Sequence, residues 1–122
     1  MSVFESTRHA SVVVRNPDLL PTWAALADAA RRAGTGQAVT VDEPGRLRLE
    51  TLRGRPFCEV RVQKGHVGVY LLAVVHLGLV LPDALEQHRS GRGTLRFRSA
   101  TEEEVAALEA FVANLQGLIG QW

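Results

Sequence analysis

Cysteine, lysine, an excess charge of either sign and a long unbroken apolar run are all scarce or missing from this chain. The single thiol, Cys58, excludes an internal disulfide framework and fits a reducing compartment. Lysine is nearly absent because arginine replaces it 13 to 1, a bias in keeping with genomic base composition rather than a site. The 14 basic and 13 acidic residues leave a formal net charge of +1, which offers no concentrated positive field for nucleic acid. The longest apolar stretch, Val67 to Leu81, is interrupted by Gly68, His76 and Gly78 and is too short to span a bilayer. The opening MSVFESTRHA lacks a basic segment followed by an apolar one, as a secretion signal would have. These absences predict a soluble cytoplasmic protein with neither nucleic acid nor membrane as partner.

What is present is a globular composition. With 122 residues and 46% of them hydrophobic, the chain suits one domain with a core of its own. Internal repeats and low-complexity segments are lacking.

The strongest pattern lies in PFCEVRVQKGHVGVYLL, residues 56–72. Cys58, Val60 and Val62 alternate with Glu59, Arg61 and Gln63, the period of a half-buried strand. Lys64-Gly65 closes a two-residue turn, since glycine accepts the positive φ such turns require. That register sets Val62 opposite Val67 and Val60 opposite Val69. Glu59, Arg61, Gln63, His66 and Tyr70 then fall on the outer face of an antiparallel sheet.

Around this hairpin the chain reads in order. Ser11 to Arg15, in an ambiguous segment 1–15 that reads as an extended N-terminal arm, forms a short strand by its valines. Asp18 or Asn16 caps a helix running to about Arg32, with Trp23, Leu26, Ala27 and Ala30 at helical spacing. Gly34 stops it. A second hairpin spans Ala38 to Leu52 about the turn Glu43-Pro44-Gly45-Arg46. The apolar segment that follows Leu72 leads into a short helix near Pro82 to Arg89, then a fifth strand, Thr94 to Arg98. Thr101 and Glu104 make a capping box for a last helix with Val105, Leu108, Phe111, Val112, Leu115 and Ile119 as its apolar stripe. The expected architecture is α+β: an antiparallel sheet of about five strands with helices packed on one face.

VDEPGRLRLET, FCEVRVQKGHVGVYLL, a short helix, HRSGRGTLRF and a closing helix carry a likeness when taken together in this order. From Val39 to about Phe111 the chain resembles the DUF1801 or YdhG-like family of small bacterial α+β proteins, most of which have no established activity. The family often has a small basic glycine loop before the last strand, here Gly91-Arg92-Gly93. Some members are described as frataxin-like intracellular iron chaperones, so the resemblance implies iron carriage as an alternative role. Such iron sites use clustered carboxylates; the first long helix here carries Asp18 and Asp28 and ends in Arg31-Arg32.

Among the residues able to carry chemistry, the loop His88 to Thr94 stands out. Its glycines let backbone N–H groups turn toward one point, and its guanidiniums bind a carboxylate or phosphate through two donors at once. Arg89, Arg92, Gly91 and Gly93, with Arg61 and Arg55 contributing through the fold, form the expected site for a small anionic ligand. It has neither the lysine nor the spacing of a P-loop. Glu102, Glu103 and Glu104 with Glu109 are the dense acidic cluster, and helix capping accounts for the run. His9, His66, His76 and His88 show no metal-ligand spacing, so neither metal nor cofactor is expected. Cys58 alternates with core valines as a buried thiol, and no nucleophile elbow occurs. The reading is therefore a non-enzymatic binding or interaction module for a small anion or a protein partner. The surplus apolar residues of Ala73 to Leu81 point to a homodimer.

Overall fold

The computed structural model describes residues 3–122, with side chains from His9 onward. Six strands form one antiparallel sheet: β1 (Ala38–Glu43), β2 (Arg46–Glu50), β3 (Pro56–Gln63), β4 (His66–Tyr70), β5 (Arg89–Gly91) and β6 (Thr94–Phe97). Their order across the sheet is β1-β2-β3-β4-β6-β5. The α+β class is therefore as expected, with one strand more.

The expected register of the central hairpin is the one found, with Val60 facing Val69 and Val62 facing Val67. All four valines are fully buried. Each contributes about 1.5–3 kcal/mol on burial, and a one-residue slip would turn all of them to solvent, so the pairing is fixed by the hydrophobic face.

Five helices accompany the sheet: α1 (Val3–Arg15), α2 (Leu20–Ala33), α3 (Leu72–Leu77), α4 (Asp83–Glu86) and α5 (Glu102–Leu115). α2 packs on β3, and α5 packs on α2. The buried face of α2 is largely alanine (Ala27, Ala30 and Ala33 beside Leu26), which lets these helices approach closely above the valines. Trp23 reaches through this layer to donate its indole N–H to the Val60 carbonyl at 2.8 Å. The capping box is present: the Glu104 amide donates to Thr101 Oγ1 at 3.1 Å and the Thr101 amide to Glu104 Oε1 at 2.8 Å. No helix among the described residues is long and apolar enough to cross a membrane.

Four local expectations are corrected. Ser11 to Arg15 is the end of α1, neither a strand nor an extended arm. Consecutive valines favour a strand in isolation, yet His9, Val12, Val13 and Asn16 recur at helical spacing, and this face docks on the sheet. His9 Nε2 donates to the Gly45 carbonyl at 2.9 Å, and Gly65 N–H donates to Asn16 Oδ1 at 3.2 Å. α1 thus closes the end of the sheet where the β1–β2 and β3–β4 turns lie. Neither Asn16 nor Asp18 caps α2, which follows a 3-10 turn over Pro17–Leu19. The apolar segment after Leu71 contains α3, which Gly78 ends in the left-handed conformation at φ 61°. Finally, the expected helix to Arg89 stops at Glu86, and Arg89–Gly91 pairs with β6 as an edge strand.

The docking of α1 makes stability pH-dependent. Burial, with Arg61 and Arg46 nearby, pushes the His9 pKa below its usual value, so the unfolded chain binds more protons around pH 6. The stabilisation is full above the ordinary histidine pKa and lost as pH falls through the lowered one. The urea midpoint should therefore drop between about pH 7 and pH 5, and His9→Gln should flatten that slope. An unchanged slope would remove His9 from the α1 anchor.

Candidate functional site

The outer face of the sheet, opposite the valines, is polar and ordered in rows. Arg48, Glu59, Tyr70 and Thr94 lie side by side across β2, β3, β4 and β6. The adjacent row is Arg46, Arg61, Gly68 and Arg96. Glu59 sits at the centre with 9% of its surface exposed. Its carboxylate accepts from Arg48 Nη1 at 3.1 Å and Arg61 Nη1 at 3.3 Å, and Arg46 Nε lies 3.4 Å away. Arg48 also donates through Nε to Glu50 at 2.7 Å. These contacts hold the guanidinium more firmly protonated than usual, Glu50 first. Three guanidiniums thus converge on one buried carboxylate.

Beside this row the face sinks into a cleft of about 240 Å³. Arg48, Glu59, Tyr70 and Thr94 line its polar side, while Leu72 and Val75 of α3 line its apolar wall. Two glycines set its shape. A Cβ on Gly93 would lie 2.5 Å from the Leu71 carbonyl and 2.7 Å from Val75 Cγ2, so only glycine lets the β5–β6 turn tuck against α3. The Leu71 amide donates to the Gly93 carbonyl at 2.8 Å and fixes that contact. A Cβ on Gly68 would come within 2.7 Å of the Tyr70 hydroxyl, so the tyrosine ring lies over the bare backbone there. Gln63 Nε2 donates to that hydroxyl at 3.0 Å, which leaves the phenolic proton free to be donated.

Past the tyrosine the face becomes basic. Arg96 and Arg98 are exposed, and neither has an ion-pair partner among the described residues. Their field reaches His66, whose pKa is lowered by burial and then by Arg96 and Arg98.

The residues expected to form the anion site are not gathered at one point. Arg89 and Arg92 are together on the β5–β6 hairpin, where Arg89 Nη2 donates to the Arg92 carbonyl at 3.0 Å and Arg89 Nη1 lies 3.7 Å from Glu86. They border a shallow hollow against Val74, Val75, Gly78 and Leu79. Gly91 pairs with Thr94, and Gly93 is committed to α3, so the loop is a tight turn whose backbone is already engaged. Arg61 belongs to the Glu59 cluster, three strand spacings from β5, or roughly 14 Å. Arg48, Glu59, Tyr70, Arg96 and Val75 were outside the expected site. The signal that would have found most of them is the set of outward positions on successive strands, read across the sheet rather than along it.

The remaining candidates are scattered. Among the described residues no group of three His, Cys, Asp or Glu is placed to hold a metal ion. His88 joins Glu104 and Gln87 at the start of α5 and stacks on Phe97 with centroids 4.1 Å apart. The Thr101 amide, then His88, hold the Glu104 carboxyl below its usual pKa. Glu109 pairs with Arg32 at 2.6 Å. Burial pushes the Cys58 thiol up to about 12, which leaves no thiolate at neutral pH. In the apolar run, Ala73, Val74 and Leu81 are buried, whereas Val80 is 90% exposed beside a groove toward Phe111 of α5.

Compared with known proteins, the chain matches no family model, no curated protein and no solved structure.

The Glu59 cluster yields a test of its own. Removing one partner from a buried ion pair leaves uncompensated charge, at about 3–5 kcal/mol. Glu59→Gln should lower unfolding stability by that order in a urea titration, and Arg48→Gln by less, because Arg48 is half-exposed. Equal, small effects would mean the carboxylate does not organise the face.

Proposed function

We infer that the protein is a non-enzymatic binding module whose ligand is a small anion with a flat apolar body, held in the cleft between α3 and the outer face of the sheet. One observation carries this reading: an apolar wall, Leu72 and Val75, faces a polar row that holds Arg48. Pockets of this make-up, mostly apolar with a few convergent polar groups, are the usual form of a ligand site. The apolar wall takes the body of the ligand by excluding water, and the guanidinium side takes the charge with directed donors. Tyr70 adds a ring face and a free hydroxyl proton. The reading asks for binding alone, the one carboxylate lining the cleft, Glu59, being engaged by guanidiniums. The membership in the YdhG-like family, the cytoplasmic location and the homodimer remain part of this proposal. The exposed Val80 beside the α5 groove supports self-association.

A thermal-shift titration with phenyl phosphate, inorganic phosphate and benzyl alcohol tests the site. A ligand specific for the native state at ten times its Kd raises Tm by roughly 5 °C for a domain of this size. Phenyl phosphate should do so, while the other two, each carrying half of its chemistry, should do far less. Val75→Trp fills the cleft from a position already 39% exposed. It should leave the unliganded Tm in place and abolish the shift. A shift that survives in Val75→Trp would place the ligand elsewhere.

A further inference from the structure

The near-zero net charge conceals a separation that folding creates. The six strands with their hairpin turns and the residue after β6, residues 38–70 and 89–98, hold ten of the 14 basic residues and four of the 13 acidic ones, two of these (Asp42 and Glu43) on the edge strand β1. α2, α4 and α5 hold seven acidic residues and two basic ones. Most of the acidic set lies on α2 and α5, on the far side of the apolar core from the outer face of the sheet, and the two sets meet at the edge, where Arg89 pairs with Glu86. The two sheet carboxylates away from β1 are consumed: Glu59 by three guanidiniums and Glu50 by Arg48. Arg96 and Arg98 remain exposed and without an ion-pair partner among the described residues. His66 lies within reach of both, its pKa lowered by burial first and then by their charge.

We propose that this outer face binds single-stranded nucleic acid, one base entering the α3 cleft beside Tyr70 and the phosphates following Arg48, Arg61 and Arg96 toward Arg98. The inference rests on the cleft reading above and extends it from a small anion to a polyanion. Three features select a single strand. The positive charge continues beyond the cleft: Arg96 follows Thr94 on the same face at roughly 7 Å, and Arg98 stands exposed just past the end of β6, too far for one small ligand to use them all. An aromatic ring laid over a sheet beside guanidiniums is the platform on which unpaired bases stack. The cleft is small, about 240 Å³, and a base reaches it only when it is out of a duplex.

The test is fluorescence anisotropy of the full chain with a labelled 12-nucleotide single strand and a hairpin duplex of matched length. At low salt the single strand should bind more tightly than the duplex. With about three phosphates neutralised, raising salt fourfold should weaken it roughly 20-fold. The double variant Arg96→Ala, Arg98→Ala should flatten that salt dependence. Tyr70→Ala should weaken binding about fivefold or more, and Tyr70→Phe should restore it, because the ring carries the stacking. Circular dichroism confirms that each variant is folded, and Tyr70→Phe keeps the test decisive if Tyr70→Ala is not. Absence of single-strand binding at low salt overturns the proposal. Equal affinity for strand and duplex, or Tyr70→Phe binding as poorly as Tyr70→Ala, overturns the stacking assignment. If oligonucleotides fail while phenyl phosphate still shifts Tm in a Val75-dependent way, only the nucleic-acid inference falls. If both fail, the cleft reading falls with it.

Discussion

A carboxylate buried in the middle of a sheet face has to be answered by cations, and much of this molecule follows from that requirement at Glu59. β3 is a central strand, paired on both sides, and its outer face is covered nearly as well as its inner one. A charged group there is tolerable only when paired and hydrogen-bonded. Arg46 and Arg48 answer from β2 and Arg61 from β3 itself, so the identities of outward positions on neighbouring strands are coupled through one oxygen pair. Glu50 in turn answers Arg48 from the same strand. Beyond the cluster Arg96 and Arg98 stand exposed, so the face turns basic there, and His9 of α1 lies within the field of Arg61 and Arg46.

Net charge is a sum, whereas binding responds to where the charges lie. The sequence sums to +1 because two opposed sets cancel. The core separates the outer face of the sheet from α2 and α5, and with screening over about 8 Å at physiological salt a ligand approaching that face meets one layer at a time. Excluding polyanions on net charge alone is sound only for a chain whose charges are mixed on every face.

The legible parts of the fold were those fixed by neighbours in sequence. Period-two alternation gave the register of β3 with β4, the Thr101–Glu104 spacing gave the cap of α5, and Gly34 gave the stop of α2. The end of α1 reads as a strand because three valines in a row favour one locally, while the contacts that anchor the helix, His9 with Gly45 and Asn16 with Gly65, join residues more than thirty positions apart. β5 has three residues, too few to show a period. The candidate site was harder still. The glycine-rich hairpin at Arg92 looked like a ligand loop because its composition is local, yet its backbone is used by Leu71. The row from Arg48 to Thr94 draws one residue from each of four strands, and nothing local joins them.

The cleft is also preformed, and the reason lies in residues with no side chain. Gly93 lets the last hairpin close on α3, and the resulting backbone hydrogen bond fixes the wall that carries Leu72 and Val75. Gly68 lets Tyr70 lie over β4, where Gln63 holds its hydroxyl. One side of the cleft is thus set by a backbone contact that a methyl group would break, and the other by a tyrosine ring that Gln63 holds over a glycine. Binding to such a site requires little ordering of the protein, which leaves more of the contact energy to appear as affinity. The same rigidity limits what can enter. A ligand must bring a flat body that fits between α3 and Tyr70, since neither wall can move aside without giving up the glycine contact that placed it.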